Sequence, residues 1–219
     1  MNASSLNINI KTLLAFFLIS TTVFSASSQN IIDSMKSIVN SVGIEFLYPD
    51  NKDLLNCYDS IIRFYQTTEN YDSLIVYENK AAQLHIERNN LTKYVQKTNK
   101  VGYYYSLKGE HDKSVKVLLD NLRFVKKNNL NNELAETYIY LGFGYRHFNQ
   151  EKAIGFFTLC LDNEKDTLSV YYSSSLNEIA NIYNLSGKYE EALAFYLRAL
   201  KIKEVAAQSS PGQGIVYSY

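Results

Sequence analysis

The sequence predicts an all-α chain of stacked antiparallel helix pairs, an α-solenoid. Three observations predict it: paired apolar stripes at helical spacing hinged on a short polar break, small residues beside large ones on those stripes, and recurrence of the whole unit along the chain. The unit is clearest in NEIANIYNLSGKYEEALAFYLRAL, residues 177–200, where Ala180, Ala192 and Ala199 accompany Ile179, Tyr183, Tyr189, Tyr196 and Leu200. Small next to large at this spacing means two helices in close contact, one filling the other's gaps.

Residues 1–28 read as an export signal. Lys11 precedes an uncharged run from Leu13 to Phe24, which is followed by small residues. The run is too short for a bilayer span of about 20 apolar residues and has the length of the apolar region of a signal peptide. Ala26 and Ser28 are the small residues expected at the cleavage site, so the mature chain is expected to begin at Gln29. An uncleaved anchor or a buried helix is the competing reading. No cysteine follows the run, so a lipoprotein anchor is not indicated. Residues 29–50, opening QNIIDSMKSIVNSV, read as a helical lead-in.

The repeats are expected at 51–90, 91–130, 131–168 and 169–205. Tyr183 steps back to Tyr145, Tyr105 and Tyr65 at intervals of 38, 40 and 40 residues. Gly102, Gly142 and Ala180 stand three places before three of these tyrosines, each preceded by an apolar residue, Val101, Leu141 and Ile179. The earliest copy has Ile61 and Ile62 there and is the most divergent. Polar breaks follow (TTENY, LKGEH, FNQE and LSGKY), and then second stripes: Ser114, Leu118 and Leu122; Ala153, Phe157, Cys160 and Leu161; Ala192, Tyr196, Ala199 and Leu200.

With these residues in place the chain resembles the tetratricopeptide repeat (TPR) family, whose signature is apolar-Gly-x-x-Tyr on a first helix and Ala-x-x-x-Phe or Tyr on a second. IANIYNLSGKYEEALAFYLRAL is a near-complete match, LGFGYRHFNQEKAIGFFTLCL matches with a shorter turn, VGYYYSLKGEHDKSVKVLLDNL has Ser114 for alanine, and IIRFYQTTENYDSLIVYENKA matches weakly. The resemblance implies a right-handed superhelix of antiparallel helix pairs. It also implies that Tyr65, Gly102, Tyr105, Gly142, Tyr145, Ala153, Ala180, Tyr183, Ala192, Tyr196 and Ala199 are repeat-packing residues. The family's tryptophan and closing proline are missing, and the period exceeds the usual ~34 residues. Longer second helices or longer inter-repeat turns are the expected cause.

Composition removes several function classes. Acids and bases number 22 each, and Lys80, Lys93, Lys97, Lys100 and Lys108 are interleaved with acids and amides. Nucleic acid, which needs concentrated positive charge, is not an expected partner. Cys57 and Cys160 lie at packing positions and are expected as two separate buried thiols. His85, His111 and His147 fall in different repeats without metal-ligand spacing, HIERN lacks the second histidine of a zinc helix, and no phosphate loop or nucleophile elbow is present. His111 is expected to pack between helices, and the acids Glu190 and Glu191 to begin a helix at its positive end. The chain reads as non-enzymatic, with no metal and no cofactor.

By the resemblance, first helices line a concave groove whose exposed positions are Asp59, Arg63 and Gln66, then Asn99, Tyr103 and Ser106, then Ile139, Phe143, Arg146 and His147, then Asn177, Asn181 and Asn184. Aromatic anchors and amides suit an extended protein or peptide segment. Of the neighbouring tyrosines, Tyr105 is expected in the core and Tyr103 on the other side, with Tyr104 between. After residue 205 a turn at Pro211 to Gly214 precedes an apolar segment that reads as an incomplete further repeat, 206–219, so a longer parent protein is expected, with any membrane tether beyond residue 219. The signal peptide, lead-in and tyrosine-rich repeats resemble the extracytoplasmic region of Bacteroidetes-type TPR sensors, which implies a periplasmic or secreted binding module in signal transduction. A free-standing periplasmic adaptor or assembly factor is the alternative. Beyond residue 219, a sensor requires an apolar run of about 20 residues, whereas an adaptor requires a polar capping helix.

Overall fold

The computed structural model describes residue 33 and residues 52–209. The chain divides into two units, Met1–Leu54 and Leu55–Tyr219. The expected signal peptide, nearly all of the lead-in and the segment 210–219 lie outside the described residues. The described chain runs α1 (Lys52–Thr67), α2 (Tyr71–Glu87), α3 (Leu91–Leu107), α4 (His111–Lys127), a 3-10 turn (Asn131–Glu133), α5 (Leu134–Tyr145), α6 (Gln150–Asn163), α7 (Val170–Leu185) and α8 (Tyr189–Ser209). No strand occurs among the described residues. Residues 206–209 continue α8.

The long period has a simple origin. In the first two repeats both helices are 16 or 17 residues long, and each is followed by a three-residue turn, so the extra length is shared by first and second helices and not confined to the second. Left-handed residues mark the turns: Glu69, Asn89, Gly109 and Asn129 recur at even spacing, and Gly187 does the same in the last repeat. Gly109 and Gly187, at φ of 76° and 75°, occupy this region without the steric cost of a side chain. The amide that follows the left-handed residue closes a Schellman turn on the repeat tyrosine: Asn70 N donates to Tyr65 O, Glu110 N to Tyr105 O and Lys188 N to Tyr183 O, at 3.1, 2.9 and 2.9 Å. In the shorter third break Asn149 N reaches Tyr145 O at 2.8 Å. Asn70, Asn90 and Asn149 then cap the next helix, each side chain accepting from the amide three residues on. One short segment thus stops one helix and starts the next.

Packing follows the small-for-large pattern. A methyl group added to Gly102 would lie 2.6 Å from Leu118 Cδ2, and one added to Gly142 would lie 2.6 Å from Phe157 Cδ1. Leu118 and Phe157 are fully buried, so each side chain rests directly on the backbone of its partner helix. Between repeats, Gly144 of α5 gives room to Ser114, Val115 and Leu118 of α4. The resulting core joins Leu118, Leu122, Ile139, Leu141, Phe157 and Ile179, with Tyr183 and Phe195 packed against it. Cys57 and Cys160 are both buried and far apart in the chain, and burial raises the Cys160 thiol to about 11.

The expected packing residues divide into two groups. Tyr65, Gly102, Gly142, Tyr145, Ala153, Ala180, Ala192 and Ala199 are buried, while Tyr105, Tyr183 and Tyr196 are half-buried. Tyr104, not Tyr105, is the buried tyrosine of α3: it stacks on Tyr71 and accepts a hydrogen bond from Gln66 Nε2 at 3.1 Å. Leu200 and Tyr189, expected on the apolar faces, are exposed.

Two glycine substitutions should act in opposite directions. Gly142→Ala drives a methyl into the Phe157 ring, an overpacking cost of about 1–3 kcal/mol that outweighs the roughly 1 kcal/mol gained in helix propensity. Gly155→Ala, on α6 with nothing within 4 Å of the new methyl, should stabilise by roughly 0.5–1 kcal/mol. Urea unfolding followed by circular dichroism measures both.

Candidate functional site

The first helices α1, α3, α5 and α7 carry the expected groove residues. The structure removes three of them from solvent. Asn99 is wholly buried, donating to Thr137 Oγ1 at 3.3 Å and accepting from Asn121 Nδ2 at 2.8 Å. Ser106 is buried and donates to the Phe143 carbonyl at 3.0 Å, and Ile139 lies in the core. The cause is that α3 and α5 pack directly on each other, so residues that point toward the groove on a lone helix point into a helix–helix contact here. These three are therefore packing and register residues, not exposed groove positions.

The remaining expected residues are spread from α1 to α7. Asp59 accepts from Lys97 Nζ at 2.7 Å, Arg63 and His147 are exposed, and Gln66 is committed to Tyr104. Asn177 is half-buried, Asn184 is exposed, and exposed Asn181 accepts from the Tyr196 hydroxyl at 2.6 Å.

Tyr103, Phe143 and Arg146 come together at the centre. The Tyr103 ring lies 5.4 Å from Phe143 and 5.6 Å from Tyr140, and Tyr140 lies 6.2 Å from Phe143, edge-on. Arg146 covers the Phe143 ring at 5.3 Å and is fixed by Glu178 Oε2 at 3.2 Å from its Nη1. Its Nε donates to His147 Nε2 at 3.0 Å. The guanidinium is thus stacked and paired, and burial, with Arg146 and His111 beside it, lowers the His147 pKa. Three half-buried aromatic rings thus cluster with an ion pair at their rim.

Sequence reasoning missed Tyr140 and Glu178. Both lie one place after an expected groove position, and stepping Lys100 forward by 40 and then 38 residues lands on them, so the repeat register contained the signal. It also missed a buried ionic cluster. Glu78 of α2 is fully buried, with Lys97 Nζ 3.1 Å from Oε2 and Lys100 Nζ 4.0 Å from Oε1. Burial raises the Glu78 pKa against the pull of these lysines. Burial lowers Lys97, but Glu78 and Asp59 more than offset it. His111 behaves as expected of a packing residue, its ring 5.4 Å from His147 and 5.6 Å from Phe148. Among the described residues no three His, Cys, Asp or Glu side chains are grouped to hold a metal ion.

Residues 173–209 match the tetratricopeptide repeat family. Solved structures extend the likeness over most of the chain. The apo form of RapI superposes with a TM-score of 0.67 at 14% identity, covering 91% of this chain and 70% of its own. Nearly identical TPR-like repeats from Podosopora anserina give 0.58 at 12% identity, over 84% and 89% of the two chains. The fold is a TPR-type α-solenoid. BtubC from P. vanneervenii, with a TM-score of 0.57 at 15% identity over 87% and 86%, shares it. No curated protein sequence matches the chain.

Glu136 of α5 is buried beside Glu133 and hydrogen-bonded to the Tyr171 hydroxyl of α7. Burial first, then the Glu133 charge, lifts its pKa to about 7, against the pull of Lys100. The folded chain therefore holds this proton where the unfolded chain has lost it, so the stability contributed by Glu136 is fully present below the ordinary carboxylate range and is lost as pH rises from about 4.5 to about 7. Glu136→Gln should flatten this descent. His85 and His147, with lowered values, slope the opposite way in both proteins, so the difference between the wild-type and variant urea-unfolding curves from pH 4 to 8 isolates Glu136.

Proposed function

We propose that the chain is a non-enzymatic scaffold that captures an extended peptide segment along its first helices, with the Tyr103, Tyr140 and Phe143 platform seating one apolar or aromatic side chain. The observation that carries this reading is the internal pairing of the groove's charges. Arg146 is paired with Glu178, and Lys97 with Asp59 and Glu78, which leaves the aromatic platform, exposed Arg63 and the amides of Asn177 and Asn184 to meet a ligand. Such a surface selects by apolar fit and backbone hydrogen bonding. The aromatic and arginine residues at its centre are the types that dominate binding energy in other interfaces.

The expected export signal supports placing this capture outside the cytoplasm, where the chain would serve as the sensory or interaction part of a signalling protein. None of the described helices is long and apolar enough to cross a membrane.

Panning the purified chain against a phage-displayed library of random peptides tests the reading. Enriched peptides should share a large apolar residue, and Tyr103→Ala together with Phe143→Ala should weaken them by roughly 2 kcal/mol or more, the scale of an aromatic anchor. Helicity should be unchanged. Enrichment of nothing, or of peptides indifferent to both substitutions, contradicts it.

A further inference from the structure

The first helix of the last repeat is held to its neighbour differently from the others. Between α3 and α5 the bonds of Asn99 to Thr137 and of Ser106 to the Phe143 carbonyl lie within a direct helix contact. α7 instead packs mainly on α6 and α8, and two polar bridges tie it to α5. One runs from the Tyr171 hydroxyl to Glu136, the other from Arg146 Nη1 to Glu178 Oε2 at 3.2 Å. Just before Tyr171, residues 165–168 belong to no helix and are exposed. The start of α7 therefore has the fewest restraints of any part of this junction.

The bridge at that end holds a carboxyl out of water. Glu136 is buried, and so is Glu133, one turn earlier. From α3, Lys100 and Lys93 act on Glu136, but Lys100 Nζ is also 4.0 Å from Glu78 Oε1. Gln96 Nε2 donates to Glu133 at 3.5 Å. From α6, the Cys160 thiol lies 3.9 Å from the Tyr171 carbonyl and stays protonated, and Glu164, just beyond α6, adds a negative charge near Tyr171. Tyr140 follows Glu136 by one turn on its own helix. Burial and Glu133 thus disfavour a charge on Glu136, and Lys100, Lys93 and the Tyr171 hydroxyl offset this only in part. A charge placed here is relieved by water, and the neighbour that yields most readily is the start of α7.

We propose that Glu136 and Tyr171 form a proton-operated latch between the third and fourth repeats. Neutral Glu136 keeps the start of α7 on α5, and ionised Glu136 is hydrated by release of that end, while the Arg146–Glu178 bridge holds further along. The latch belongs to the free chain and does not depend on peptide capture.

Hydrogen exchange of the full chain, resolved by residue and corrected for intrinsic rates, tests this from about pH 6 to 8. His85 and His147, with their lowered values, are largely neutral over this range. Protection of the α7 amides of residues 174–178 should fall about tenfold as Glu136 ionises, while the α3 amides around Asn99 keep theirs. Glu136→Gln should hold the α7 amides at their low-pH protection throughout. Glu133→Gln, which removes the neighbouring charge, should make the fall smaller. A wild-type chain whose α7 protection does not change overturns the latch. So does a fall that persists in Glu136→Gln, that Glu133→Gln leaves unaltered, or that α3 shares equally.

Discussion

The structure depends on one contact type: a large side chain of a second helix seated on a glycine of the first. Leu118 on Gly102 and Phe157 on Gly142 bring the paired helices closer than any side chain at 102 or 142 would allow. That approach fixes where the repeat tyrosine falls, at the helix end, where its carbonyl accepts the amide that closes the turn. Helix length, turn and stacking angle then follow from local chemistry, and the unit repeats with little change. Ala180, fully buried opposite α8, does the same in the last repeat with one methyl more.

Close pairing has a second consequence on the groove side. Because α3 and α5 are drawn together, their facing polar groups cannot stay hydrated and must satisfy one another. Asn121 donates to both Asn99 and the Val95 carbonyl, and Asn99 in turn donates to Thr137. Such a network tolerates little sliding, since a shift of one helix strands several buried groups at once. The ion pairs play the same part nearer the surface. What remains partly exposed beside it is mostly ring faces and side-chain amides, and their positions are set by this framework.

The paired helices were legible in the sequence because each repeat states its own contact: Gly102 with Leu118 and Gly142 with Phe157 are separated by one turn and less than two helices. The groove was legible only in part. The resemblance names positions on single helices, and of those it named, Tyr103, Phe143 and Arg146 lie side by side. It does not say how close the neighbouring first helix lies, which is a property of superhelical curvature summed over repeats. Asn99, Ser106 and Ile139 were misjudged for that reason. Tyr104 exchanged places with Tyr105 because its burial comes from Tyr71 and Gln66 of the preceding repeat, contacts that no periodicity within α3 encodes. Residue type was no guide to the buried Glu78 either, since its cost is offset only in part, by lysines contributed by another repeat.

Native-state hydrogen exchange, resolved along the chain, tests the central claim that the glycine contacts organise the fold. If they do, the slowest amides should lie on α3 to α6 around residues 101–105, 118–122, 141–145 and 157–160. Protection should fall toward α8, where Leu193, Leu197 and Leu200 are exposed. Uniform protection across all helices, or α8 amides exchanging more slowly than those beside Gly102 and Gly142, would contradict the account.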